Sequence, residues 1–573
     1  MRLIDYYNYI ATAAYILMGV AAVFLYLRGK KNDKKGLGDG VTGILFLLIM
    51  IIASVIRLYK LGEIPLGLQQ DEASIGYDAY TLATYGIDRN GYHWPIYPIT
   101  WGCGGGSPLL IYLNVISVSL FGPSIRNLRM IPAGCGILTV ALFYAVIRIT
   151  LEGRKFRNEI ALLGAGFLSV CPWHVILSRW SLDCNIMPFN LMLAFWLFML
   201  GVRKKSGFFY CLSSAAFAIC MYSYGAATIV VPILLLVMCA YGLKIRTLTW
   251  KNVISAFVIF IVVFLPLLIF YAINYLGLPE IVTEHFAFNK FTAARTGEAF
   301  IALDSSFWSN AIGNLKSMLL AVTIGDEHHT IAHYYPGYAS LYEFTFPITF
   351  IGLLICIKHV VTGKDKKGHL SCEYRMGLML FLSAVIGSVV LDIVILPDIN
   401  RLVMMFIPFI FFFVIGAGFI LEHARMLFVA IAGLLLIGAL SFTKDYFEDY
   451  SHYALSIYMP GYGDAVSRAY EVSGDTRMIR STYEGLSSPF MLALYYTNYD
   501  PHKFYTTVEY KDPYAEFRIA RSFGNFVFEL PDNVTDEKYA SDIFVVSSSE
   551  LELFGDLSAY NVDDFGGYFV VYK

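Results

Sequence analysis

KKNDKKGLGDGVTGILFLLIMIIASVIRLYKLGEIPLGLQQDE, residues 30–72, decides what kind of molecule this is. Lys30, Lys31, Lys34 and Lys35 stand before an apolar run, 41–57, long enough to cross a hydrocarbon layer of ~30 Å. Basic clusters stay on the cytoplasmic side of a membrane, so the following loop is expected on the opposite, outer face. That loop opens on two adjacent carboxylates, Asp71 and Glu72. Ionisable groups this close to a membrane span are candidate functional groups.

The rest of the chain agrees with a membrane reading. Of 573 residues 57% are hydrophobic, 16% aromatic and only 15% charged. Mean hydropathy is +0.60, outside the range of a soluble chain of this length. A net charge of −2 and the lack of a basic domain argue against nucleic acid as a partner. The nine cysteines are scattered, without CxxC or Cys/His spacing, and read as small packing residues. The N-terminal apolar run, 9–27, leads into RGKKNDKK where a cleavable signal would need small residues.

Twelve spans are expected, near 9–27, 41–57, 127–149, 159–173, 185–202, 207–222, 225–242, 253–274, 341–359, 375–396, 402–421 and 425–442. With the N-terminus outside, alternate loops carry Arg154/Lys155/Arg157, Arg203/Lys204/Lys205, Lys244/Arg246/Lys251, Lys358/Lys364/Lys366/Lys367 and Arg425 to the inner face. The short run 108–122 would break this register as a span, so it is expected to be interfacial or re-entrant. The chain thus divides into an extra N-terminal span and basic loop (1–40), a membrane domain (41–442) with outer loops 58–126 and 275–340, and an extracytoplasmic tail (443–573). RMIRST, FVFEL, DIFVVSS and GYFVVYK in the tail alternate like strands around a helical SSPFMLALYYTNY, the pattern of a small mixed α/β domain.

Chemistry concentrates in the outer segments. In GLQQDEASIGYDAYTLATYGIDRNGYHWP, Asp71 and Glu72 begin a helix, where a carboxylate can either cap free N–H groups or serve as a base. Tyr77 and Asp78 follow on that helix, Asp78 readable also as plain helix surface. CPWHVILSRWSLDCNIMPFN offers Arg179 and Asp183, either a helical ion pair or two groups facing a shared polar cavity. GDEHHTIAHYYPG holds Asp326, Glu327, His328, His329 and His333; no metal-site spacing is present, and a divalent metal stays open. Arg129 and Arg401 lie at membrane depth or at a span's mouth, placed for an anion or for snorkelling. Acids, arginines and aromatics together suit a ligand with a lipid tail, a phosphate and a sugar.

LGEIPLGLQQDEASIGYDAY, FGPSIRNLRMIPAGCGILTVALFYAVIR, PWHVILSRWSLDCNIMPF, MYSYGAATIVVPILLL, GDEHHTIAHYYPG and INRLVMMFIP, in that order, resemble the integral-membrane glycosyltransferases of the C fold type that use polyprenyl-phosphate sugars. This group includes protein O-mannosyltransferases and the aminoarabinose transferase of lipid A. The resemblance implies a polytopic α-helical fold with an external α/β domain. By it Asp71 matches the catalytic base, Glu72 the second acid of the dyad, and Asp183 a further acid near the active site. Arg129 and Arg401 match positions facing the donor phosphate, while Tyr77, Asp78, Arg179 and His333 are candidates for substrate contact. The first loop lacks a DxD, a departure from the metal-dependent oligosaccharyltransferase branch.

The expected activity is transfer of a sugar from a polyprenyl-phosphate donor to an acceptor hydroxyl at the outer face of the plasma membrane. The acceptor is left as lipid, protein or cell-envelope glycan, and no cofactor is firmly expected. Two rivals remain: a transporter or flippase of a lipid-linked sugar, which needs mid-span charges and inverted repeats, and a membrane-anchored binding or assembly protein.

Overall fold

The computed structural model describes residues 3–32, 35–294, 300–301, 304–325, 331–365, 368–474 and 476–573. Its first half runs α1 (Leu3–Leu27), α2 (Asp39–Leu58), α3 (Gln70–Tyr85), α4 (Pro108–Phe121), α5 (Ile125–Thr150), α6 (Arg157–Val170), α7 (Pro172–Leu177) and α8 (Met187–Lys204). The second half continues with α9 (Gly207–Ser223), α10 (Ala227–Lys244), α11 (Trp250–Tyr275), α12 (Phe307–Thr323), α13 (Phe346–Thr362), α14 (Cys372–Val394), α15 (Val403–His423) and α16 (Arg425–Tyr453). Among the described residues ten of these helices are long and apolar enough to cross a membrane.

Two of the twelve expected spans are shorter. The stretch 207–222 is α9, a 17-residue helix. The stretch 159–173 ends as a helix at Val170, because Pro172 holds Cys171 extended (φ −65°, ψ 127°) and opens α7 instead. Arg57, fully buried on α2, donates to the carbonyls of Leu168 (3.2 Å) and Ser169 (2.9 Å) that the break leaves free. Water is scarce at this depth, so the guanidinium replaces it. The apolar run 108–122 is the 14-residue helix α4, packed against α3 and α5.

Helix α15 runs through the middle of the bundle, 89% buried, and lies tightly on α13. A Cβ on Gly352 would sit 1.7 Å from the Phe412 carbonyl oxygen, so only glycine lets the two backbones meet.

Helix α16 extends beyond the expected end at 442. SFTKDYFEDYSHY keeps a helical stripe, with Phe442, Tyr446 and Tyr450 buried while Lys444 and Glu448 pair at 3.8 Å on the exposed side. Beyond it the chain folds into the expected α/β unit. Its seven-stranded mixed sheet is ordered Asn561–Asp564, Tyr568–Tyr572, Ile543–Ser547, Ile479–Ser481, Phe526–Val527, Ala520–Phe523, Glu509–Tyr510. The strand and helix runs read from the tail sequence all form.

The tail is not a free-standing appendage. One apolar core joins Leu68, Ala73, Ile75, Tyr77 and Leu82 of the 58–126 loop to Phe490, Leu492, Phe523, Phe526 and Val545 of the tail. Loop and tail therefore occupy the same side of the bundle and are stabilised as a single hydrophobic unit.

Candidate active site

Gln69 caps α3: its Oε1 accepts from the Asp71 backbone N–H at 2.5 Å, and its Nε2 donates to Asp71 Oδ2 at 3.2 Å. Glu72 closes the capping box from the third helical position, accepting from the Gln69 N–H at 3.4 Å. A helix turns ~100° per residue, so the two acids point in different directions. They meet different fates.

Asp71 lines a cavity of about 230 Å³ together with Ser74, Trp101, Asp183, Tyr224, Asp398, Asn400, Arg401 and Phe517. Asp183 is fixed there by the backbone N–H groups of Ser107 (2.9 Å) and Cys184 (2.8 Å). Asp398 accepts from the Asn400 N–H at 2.7 Å, and Arg401 donates to the Leu396 carbonyl at 2.5 Å. Burial is the main cause that pushes the Asp71 carboxyl up to about 6; the nearby Asp183 and Glu72 charges add to it, while hydrogen bonds from Gln69 and the Trp101 side chain oppose it. A carboxyl in that range takes and returns a proton near neutral pH.

Glu72 is not part of this cavity. It is fully buried, accepting from Arg129 Nε (3.0 Å) and Nη2 (2.9 Å) and from the Ser181 N–H (2.7 Å). Arg129 spends its remaining donors on the carbonyls of Leu61, Pro65 and Gly67. The expectation that Arg129 faces a donor phosphate is corrected by this geometry: the guanidinium is buried and occupied, binding the start of the first loop to α5. Glu72, expected as the partner of a catalytic dyad, is the counter-ion of that clamp.

Four other candidates also fall outside the cavity. Arg179 does not pair with Asp183; it donates to the carbonyls of Ile56 (2.7 Å), Tyr59 (2.8 Å) and Ile64 (3.0 Å) and to the Tyr446 hydroxyl (3.2 Å). Asp78 forms a buried ion pair with Arg89 (2.8 Å), and Tyr77 donates to the Tyr499 carbonyl at 3.0 Å. His333 is buried against the Trp180 ring, centroids 4.8 Å apart, and burial pushes it down to about 3, with Asn400 opposing the shift. Asp326, Glu327, His328 and His329 lie outside the described residues. Among the described residues no group of three or more His, Cys, Asp or Glu could hold a metal ion.

Of the expected set, Asp71, Asp183 and Arg401 come together. Sequence reasoning missed Asp398, although it stands three residues before Arg401, immediately ahead of the quoted INRLVMMFIP. It also missed Trp101, Tyr224 and Phe517, which carry no local signal because only the fold brings them to Asp71. Phe517 arrives from the tail. The Cys103 N–H donates to the Glu516 carbonyl at 3.0 Å, and a Cβ on Gly102 would lie 2.2 Å from the Ala515 carbonyl oxygen. The Gly102 carbonyl in turn accepts from the N–H groups of Thr292 (2.9 Å) and Ala293 (3.0 Å), tying three distant segments at one point.

A polytopic helical bundle with an acidic cavity between its loops and an attached α/β domain is the architecture of the C-type glycosyltransferase fold. ArnT from Cupriavidus metallidurans in the apo state superposes at a TM-score of 0.57 with 13% identity, over 93% of this chain and 98% of that one. The same protein bound to undecaprenyl phosphate matches at 0.53 and 12%, over 93% and 98%. The oligosaccharyltransferase of Archaeoglobus fulgidus in the apo form gives 0.49 and 14%, over 80% of this chain and 64% of that one. Residues 106–270 match the family described as dolichyl-phosphate-mannose-protein mannosyltransferase. No curated protein matches the sequence. The chain therefore shares the fold of ArnT over nearly its whole length, and a segment within it matches the mannosyltransferase family.

Proposed function

We propose that the protein moves a sugar from a polyprenyl-phosphate donor to an acceptor hydroxyl, with Asp71 as the base. The observation that carries this reading is the placing of Asp71 and Arg401 in one cavity, one a carboxyl poised near neutral pH and the other a fixed cation. The acceptor oxygen attacks the anomeric carbon as its proton passes to Asp71. The bond from that carbon to the phosphate oxygen breaks, its electron pair leaving with the phosphate, and Arg401 meets the charge that develops. A single displacement inverts the anomeric configuration. Asp183 and Asp398, held by backbone N–H groups, orient sugar hydroxyls. The site and the tail lie on the extracytoplasmic side in this reading, in keeping with the basic loops on the other face.

The test is release of polyprenyl phosphate from a panel of polyprenyl-phosphate sugars by the reconstituted protein. Wild type should turn over one donor, and Asp71→Asn should lose about 10²–10⁴-fold of that rate while folding normally. Wild-type turnover in the variant would sink the assignment of the base.

A further inference from the structure

The cavity is completed by a residue from the last tenth of the chain. Phe517 sits on the loop 512–518, whose ends are joined where the Lys511 N–H donates to the Ile519 carbonyl at 2.9 Å. Its ring lies 5.8 Å from Trp101, at 64°, and Trp101 hydrogen-bonds Asp71. Trp101 is 6% exposed, whereas Phe517 is 51% exposed, an apolar face left open at the mouth of a polar cavity. The main-chain bond at Cys103 and the close approach at Gly102 hold it there, so its exposure is built in rather than a loose loop end.

The same hairpin forms one wall of an open cleft of about 620 Å³ on the tail. Aromatic rings from Tyr483, Tyr510 and Phe528 line it beside the carboxylates Glu484, Glu509 and Glu550. Its charges are mixed, with Lys511 over the Tyr483 ring at 4.4 Å and Arg521 near Glu529 at 3.6 Å. The cleft carries four carboxylates, Glu484, Glu509, Glu529 and Glu550, against the two cations Lys511 and Arg521. It fits a ligand that offers many hydroxyl donors and ring faces, with carboxylates accepting and aromatics packing. From Lys511 to Phe517 the chain spans at most about 20 Å, so cleft and cavity are neighbours along one strap.

We propose that the tail domain is the acceptor-binding half of the active site: a glycan chain lies in the cleft and runs along the 512–518 loop, and Phe517 with Trp101 packs against the ring whose hydroxyl meets Asp71. This deepens, and rests on, the transferase reading above. It makes Phe517 a residue that positions the acceptor, distinct from the base and from the donor's arginine.

The test reads binding separately from turnover. Full-length protein in lipid nanodiscs is probed by saturation-transfer NMR with tetrasaccharides of glucose, N-acetylglucosamine and mannose, and with a Ser/Thr-rich decapeptide. At least one tetrasaccharide should receive saturation from wild type. Phe517→Ala and Tyr483→Ala should weaken that binding about 2- to 12-fold each, the worth of one aromatic contact, while Phe517→Tyr should restore it. Binding of no tetrasaccharide, of the peptide alone, or at wild-type strength in both alanine variants overturns the proposal. Donor turnover is measured in the same samples. Glycan binding without turnover of any donor would count against the transferase reading and leave the glycan site standing; turnover without glycan binding would do the reverse.

Discussion

Arg129 and Glu72 face each other where water is excluded, and each is the other's main source of charge compensation. Truncating the arginine leaves a buried carboxylate unpaired and releases the carbonyls of Leu61, Pro65 and Gly67. Arg129→Ala is therefore expected to lose about 3–5 kcal/mol of stability, read as a fall in thermal unfolding temperature or in folded yield. A phosphate ligand would instead raise the KM for donor at unchanged stability. That second behaviour is expected of Arg401→Gln, with a rise of about 10-fold or more for the loss of a charge-assisted contact. Asp71 makes a prediction about pH. Its carboxyl is raised from 3.8 to about 6, so the rate should climb as pH rises through about 6 and the base loses its proton. The sign for stability is opposite: a carboxyl with a raised folded pKa favours the fold below its unfolded value near 3.8, and that contribution is lost as pH rises to about 6. Asp71→Asn should consequently be more stable than wild type at pH 8, on the order of 1–3 kcal/mol, while inactive. An inactive variant with lowered stability would mean that Asp71 chiefly holds the Gln69 cap of α3 in place.

At the scale of elements, the sequence made the spans legible because a hydrocarbon layer imposes length and composition together. The runs 41–57 and 253–274, for instance, need no context to be read. The breaks were harder. Cys171-Pro172 interrupts an apolar run without changing its hydropathy, and the carbonyls it frees are satisfied by Arg57 from a helix over a hundred residues away. Buried arginines misled for the same reason. Arg129 looks like an anion site in sequence and Arg179 like a partner of Asp183, yet Arg129 is taken up by Glu72 and backbone carbonyls, and Arg179 by backbone carbonyls and Tyr446. Asp71, Asp183 and Arg401 were readable because charges next to apolar runs stand out; Phe517, one of 44 phenylalanines, was not. Between elements, the α13–α15 contact has no room for a side chain at Gly352. Gly352→Ala must push the helices apart and should cost several kcal/mol, seen as a sharp loss of folded protein after detergent extraction.

The whole molecule joins parts that sequence distance keeps apart. The loop 58–126 and the tail share one apolar core, beside a small cluster of the tail's own around Val534, Phe544, Val546, Phe554 and Val571. A chain ended after Ala454 would expose Ile75, Tyr77, Leu82 and their neighbours. It is expected to insert in the membrane yet elute as aggregate on size exclusion and fail to release polyprenyl phosphate, whereas full-length protein elutes as one species. Retained monodispersity and turnover in the shortened chain would show that the tail is an optional attachment.

The knot of backbone contacts at Gly102 has a consequence in time. Ribosomes make proteins from the N-terminus, so Asp71 and Trp101 are synthesised long before residues 515–517 exist. A half-made chain in the membrane holds a base with one wall of its chamber missing, next to abundant water. Only when residues 515–517 have been delivered and docked on Gly102 and Cys103 does the chamber gain that wall. A chain whose translation stops before residue 515 therefore carries Asp71 without the wall that Phe517 supplies.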